Sequence, residues 1–281
     1  KFQSAAAFGL EAGEIGFDFG RVQRRRQAVI DHLAAGVGNL LKAAGVTVWS
    51  GQARLLSANQ IEVAFPDGNN RPVEAERIIL ASGSTEIVPE VPGIELPGVI
   101  YSRQALAMNE VPASMAVVGG GVIALEMACI FAAFGSAVTI VQRSLLLRRE
   151  DREMVRRLTP YLRKQGIRIL TDTALKNISA GKEGELLLSL NTPQGEETLG
   201  VKKVLVAVGR KPYLEGLGLD SLQLEQRAGG IVIDEQMATN IPGIYAVGDV
   251  AVPGYFLAHT AIHQGLTAAE NVAGGNVSFG G

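Results

Sequence analysis

Val117-Val118-Gly119-Gly120-Gly121-Val122-Ile123-Ala124-Leu125-Glu126 passes from a β-branched pair through three glycines into a helical pattern. In such a run Gly119 makes the tight turn out of a strand, Gly121 lets backbone approach a pyrophosphate, and Ala124 permits close helix-strand packing. The helix that opens there points unsatisfied amide donors at the phosphates. Gly120, Val122, Ile123 and Glu126 complete the candidate nucleotide-binding set. A plain glycine turn is the competing reading, and the flanking strand and helix argue against it.

Working outward, the pattern predicts strand 116–118, helix 123–134, strand 138–141, helix 152–164 with Pro160 inside it, and strand 167–170. That alternation is a βαβαβ core. At the end of its second strand a carboxylate would bind the ribose 2′-hydroxyl of NAD. Gln142 and Arg143 stand there instead, with Arg148 and Arg149 one short loop further on. A guanidinium fork suits a phosphate dianion, so the reading favours NADPH over NADH. The alternative is a solvated basic loop that offsets Glu150 and Asp151.

An antiparallel excursion is expected over 185–190 and back through the Gly195 turn, followed by strand 203–208 ending in Gly209-Arg210. On the other side, helix 21–43 carries Val22, Val29, Leu33, Val37 and Leu40 at helical spacing. Strands are expected at 46–49, 53–56, 61–65 and 77–81, with a turn at Pro66-Asp67-Gly68-Asn69. Two segments, 79–84 and 244–249, each end an apolar strand in glycine and polar residues. Together they imply an outer domain interrupted by an inner one, with 1–111 and 234–281 as the outer part and 112–233 as the inner. A last helix from about His259 begins behind Leu257-Ala258-His259, its N-terminus suited to stabilise negative charge on a heterocycle. His259 and His263 lie four apart on that helix, but no third ligand has fixed spacing to them, and no metal is expected.

Formal charge is near neutral, with 26 basic against 28 acidic residues, which argues against nucleic-acid or polybasic membrane partners. Cys129 is the only cysteine in the 281 residues, so an intrachain disulfide is excluded, and its apolar setting reads as a packed small hydrophobe. With no leader or membrane-length apolar run, a cytoplasmic location is the expectation.

Four motifs in order give the chain a resemblance to the flavin-containing pyridine nucleotide-disulfide oxidoreductases, which include dihydrolipoyl dehydrogenase, glutathione reductase and mercuric reductase. They are Ile79-Leu80-Ala81-Ser82-Gly83-Ser84, Gly119 to Glu126, Val208-Gly209-Arg210-Lys211-Pro212, and Thr239 to Asp249 followed by Leu257-Ala258-His259. The resemblance implies an α/β fold of two Rossmann-like domains, the NAD(P) domain (112–233) inserted into the FAD domain (1–111 and 234–281). It implies that Asp249 binds the FAD ribitol and that Leu257, Ala258 and His259 lie near the isoalloxazine. Gly51, Ala81, Ser82, Gly83 and Ser84 match backbone contacts to FAD, and Gly209 and Arg210 match the strand end near the nicotinamide nucleotide. Glu126 matches the glutamate that pairs with a flavin-side lysine; Lys1 is not assigned that lysine's role.

By the same resemblance, electrons pass from NADPH through FAD to a disulfide or to Hg(II), as in mercuric reductase, in a homodimer. Dihydrolipoyl dehydrogenase, a quinone reductase without redox cysteines, and a non-catalytic nucleotide-binding fragment are the alternatives. The basic loop resembles mercuric reductase, whereas Leu257-Ala258-His259 resembles dihydrolipoyl dehydrogenase. The family's N-terminal flavin fingerprint, its redox cysteine pair and its C-terminal dimerisation domain with a His-Glu pair have no counterpart in these residues, so an incomplete piece of the enzyme is the expectation.

Overall fold

Strand Ser114–Val118 alternates its side chains between two buried faces, and that alternation organises the first half of the computed structural model, which describes residues 16–219 and 222–280. It lies in a five-stranded parallel sheet, flanked by Lys203–Val206 and Ala137–Val141, with Val99–Tyr101 and Arg168–Leu170 at the edges. Parallel strands need cover on both faces, so their sequences read as unbroken apolar runs. Met115, Val117, Ile140 and Leu205 pack one face against Phe131, Leu162 and Ile167. Ala116, Val118, Val141, Val204 and Val206 pack the other against Ile178, Leu188 and Leu190.

Five α-helices are described: α1 (Phe19–Ala43), α2 (Ser102–Leu106), α3 (Val122–Ala133), α4 (Arg152–Lys164) and α5 (Ala258–Val272). Phe17 meets Phe134 at a tilt and Phe19 meets it edge to face, with ring centroids 5.2 and 5.0 Å away. The apolar positions of α1 do not form a core: Val22, Val29, Leu33, Val37 and Leu40 are all exposed, and no residue of the helix is buried.

Residues through Thr47 together with Pro89–Ala207 form one compact unit, and Val48–Val88 with Val208 onward form a second. These limits differ from the expected 111/112 and 233/234 divisions for a reason that lies in strand pairing. Val99–Tyr101 finds its ladder on Lys203–Val206, which draws the residues before 112 into the first unit. Arg210–Pro212 pairs with Ser84–Glu86 and Gly230–Val232 pairs with Ala251–Val252, which draws the residues after 207 into the second.

Two strands of the second unit, Ile78–Leu80 and Ile244–Ala246, run parallel and carry its core with Leu55, Ile231, Met237 and Ala268. A meander of Gln52–Ser57, Gln60–Ala64 and Asn70–Glu74 adjoins them in sequence. Residues 46–49, expected as a strand, are irregular, because no ladder partner meets them among the described residues. Lys1 lies outside the described residues. No described helix is long and apolar enough to cross a membrane.

Candidate functional site

In the first unit the chain leaves Val118 through Gly119, whose φ of +126° is a conformation that side chains strain to adopt. The Gly119 N–H donates to the Val141 carbonyl at 2.9 Å, so the turn is fastened to the neighbouring strand end. Gly121 then caps α3 with no side-chain hydrogen bond, and a Cβ there would meet nothing within 4 Å. The first amides of α3 have no side-chain cap, and a helix N-terminus of that kind suits an anionic group. Val122 is exposed, Ile123 is half-buried, and Ala124 is fully buried against the sheet.

The basic loop is tied to this turn. Leu147 N–H donates to the Gly120 carbonyl at 2.8 Å, with Leu147 itself at φ +44°. Gln142 spends its side-chain amide on Ser144 Oγ (3.0 Å) and the Leu145 carbonyl (3.2 Å), so it braces the loop. Arg152, which the motif reading passed over, places its guanidinium on the carbonyls of Leu146, Leu147 and Glu150. Asp151 is committed to capping α4 through Met154 N–H at 2.9 Å. Arg143, Arg148 and Arg149 are left exposed, with no carboxylate in salt-bridge range among the described residues.

Glu126 lies on the exposed side of α3 in a groove of about 630 Å³ lined with Leu125, Cys129, Ile130, Leu158 and Leu162. Burial, and secondarily the Glu126 carboxylate, pushes the Cys129 thiol above its ordinary range.

The second unit gathers the other group. Ser84 Oγ donates to Asp249 Oδ2 at 2.6 Å across a separation of 165 residues, because Ile78–Leu80 and Ile244–Ala246 pair in parallel and deliver their C-terminal ends together. Arg210 joins them, with Nε on Ser84 Oγ at 2.8 Å, Nη2 on the Ser84 carbonyl at 2.6 Å, and Nη1 at 3.6 Å from Glu86 Oε1. Gly209 and Arg210 thus lie in the unit that holds Ser84, whereas Gly119 lies in the other. Ala81 is exposed, while Ser82 and Gly83 hold Tyr213 by a side-chain bond of 2.7 Å and a backbone bond of 3.0 Å. Gly51 has its own structural reason, since a Cβ there would stand 2.6 Å from the Ala64 carbonyl oxygen.

Asp249 sits in a single 3₁₀ turn against α5, where the buried Gln264 Oε1 accepts the Gly248 N–H at 2.7 Å. The N-terminus of α5 at Leu257, Ala258 and His259 is exposed and carries no side-chain cap. A half-buried carboxylate beside open helical amides offers an acceptor for hydroxyls and donors for an electron-rich ring edge, a donor set that fits a flavin nucleotide. Among the described residues no group of three His, Cys, Asp or Glu side chains could hold a metal ion. Gln264 carried a signal in the sequence, being polar on the stripe of α5 that also buries Ala268 and Asn271. Arg152 carried none.

The family model of the pyridine nucleotide-disulphide oxidoreductases matches residues 4–265. Dihydrolipoyl dehydrogenase of Chlorobaculum tepidum is 40% identical over 273 residues, which is 95% of this chain and 57% of that protein. The Acholeplasma laidlawii enzyme of the same name is 34% identical over 271 residues, 94% of this chain and 77% of that protein. Among solved structures, the HOCl-induced flavoprotein disulfide reductase RclA from Escherichia coli superposes with a TM-score of 0.84 at 29% identity, covering 94% of this chain and 59% of that one. The chain spans 57% to 60% of the length of the first three relatives. With the glycine turn, the parallel sheet and the family model in agreement over most of its residues, the chain belongs to the pyridine nucleotide-disulphide oxidoreductase family.

Proposed function

We infer that this chain carries the NAD(P) and FAD sites of an oxidoreductase that moves electrons between a nicotinamide nucleotide and a dithiol-disulfide couple of the dihydrolipoyl kind. When bound, the two cofactors supply the hydride and two-electron chemistry; the protein's share is binding, orientation and electrostatics. The open amides of α3 behind Gly119 and Gly121 receive the pyrophosphate of the nicotinamide nucleotide. Arg143 and Arg149, free of carboxylate partners among the described residues, receive the 2′-phosphate, which makes NADPH the preferred nucleotide. Glu126 supplies the carboxylate for a flavin-side lysine.

In the second unit Asp249 accepts hydroxyls of the FAD ribitol, Ser82 to Ser84 present backbone to the flavin nucleotide, and α5 directs its first amides at the isoalloxazine. A disulfide is favoured over Hg(II) because the most similar proteins described above are dihydrolipoyl dehydrogenases and a disulfide reductase.

The observation that carries the reading is the position of Asp249, held by Ser84 at 2.6 Å and set against α5 through Gln264. Asp249→Ala in the flavin-loaded protein is expected to lose most of its FAD on gel filtration while the far-ultraviolet spectrum is unchanged. Full flavin content in that variant overturns the assignment.

A further inference from the structure

We propose that Ser84 and Arg210 form a positioning relay that aims the Asp249 carboxylate, an inference that rests on the reading of Asp249 as the ribitol acceptor. A serine hydroxyl has one proton and two lone pairs, whereas a guanidinium only donates. Because Arg210 Nε donates into Ser84 Oγ at 2.8 Å, the serine must send its own proton elsewhere, and Asp249 Oδ2 lies 2.6 Å away. The direction of both bonds is therefore fixed. Arg210 cannot swing out of the arrangement easily, since its Nη2 also bonds the Ser84 carbonyl at 2.6 Å and its Nη1 faces Glu86 at 3.6 Å. Strand pairing sets this spacing, with Arg210 opposite Glu86 and Pro212 opposite Ser84.

Two consequences follow for the carboxylate. Oδ2 is occupied, and Oδ1 has no hydrogen-bond partner among the described residues, so one oxygen with a defined direction remains for a ligand hydroxyl. Ser84 also stands between the carboxylate and the guanidinium. Without it, Asp249 would turn toward Arg210 and form a direct ion pair, which withdraws the acceptor from a neutral polyol. The hydroxyl of Ser84 thus keeps a strong acceptor oriented and uncommitted, which is preorganisation of the binding site.

The test uses the flavoprotein stripped of flavin and titrated with FAD, following quenching of flavin fluorescence. Ser84→Ala is expected to raise the FAD dissociation constant by about tenfold, as loss of a bond to a charged group does. Ser84→Thr, which keeps the hydroxyl, is expected to restore binding to within about twofold of the parent protein, a rescue that mere loss of packing would not show. Arg210→Met in the Ser84→Ala background is expected to recover part of that loss, because it removes the cation toward which Asp249 would otherwise turn. If the threonine variant binds as poorly as the alanine variant, or if the two single losses multiply in the double variant, the relay is wrong. Asp249→Ala separates the two ideas: parent-like FAD binding in that variant removes the ribitol reading itself, whereas weak binding there with parent-like binding in Ser84→Ala removes the relay alone.

Discussion

A methyl group added at Gly120 would stand 2.8 Å from Gln142 Cγ and 3.0 Å from Leu146 Cδ2, closer than carbon atoms pack. Gly120→Ala is therefore expected to cost about 1–3 kcal/mol by overpacking, read from the urea midpoint. The sequence offered Gly120 only as one of three glycines; its contact with the Gln142 brace belongs to tertiary structure. Arg143 and Arg149 stand out in the sequence by their position after the second strand, and what the structure adds is that no carboxylate among the described residues comes within salt-bridge range of them. Replacing both by Ala should raise the dissociation constant for NADPH by about tenfold or more while NADH changes by less than about threefold, measured by titration of intrinsic fluorescence. Equal losses for both nucleotides would remove the clamp. At Cys129, burial and then Glu126 push the thiol up, so its alkylation rate should inflect at a pH above the ordinary thiol range. Glu126→Gln removes the smaller cause and should move that inflection partway down; an inflection at the ordinary thiol value in the parent chain would contradict the burial argument.

Helix α4 shows how much of an element a sequence can define. Its limits, Arg152–Lys164, coincide with the expected ones because Asp151 is an N-cap and Gly166 follows the end. Pro160 is accommodated within it, and Thr159 Oγ1 bonds back to the Val155 carbonyl at 2.8 Å. Asp151→Ala should cost about 1 kcal/mol through the lost cap, visible as a lowered thermal midpoint. Other elements were hidden. Asn70–Glu74 contains Pro72, which argues against a strand until one sees that it is the outer strand of its meander, where a missing N–H costs no ladder bond. Ala174–Ala180 buries only Ile178 fully, so its alternation is too weak to read. Val99–Tyr101, a strand of three residues directly following Pro97-Gly98, takes its strand character from pairing with Lys203–Val206.

At the scale of the molecule, the fold class and the order of the motifs could be read from local patterns, whereas the unit limits could not, since they depend on which distant strand completes each ladder. The proposed contacts of the two nucleotides make a separable prediction. In hydrogen exchange, NADPH should protect amides around 119–126 and 142–149, and FAD should protect those around 82–84 and 248–260; each ligand should also raise the stability of the unit that binds it. Protection of 119–121 by FAD alone, or of 248–250 by NADPH alone, would overturn the assignment. The chain passes between the units after Thr47, after Val88 and again after Ala207. During synthesis, then, every strand of the five-stranded sheet has been made once Val206 emerges, while Ile78–Leu80 must still wait for Ile244–Ala246. The first unit can close while the second is an open loop of nascent chain, so ribosome-bound chains stalled far enough past Ala207 for Val206 to have left the exit tunnel, but before Ile244–Ala246 has emerged, should already resist protease over 89–207 and remain cleavable over 48–88.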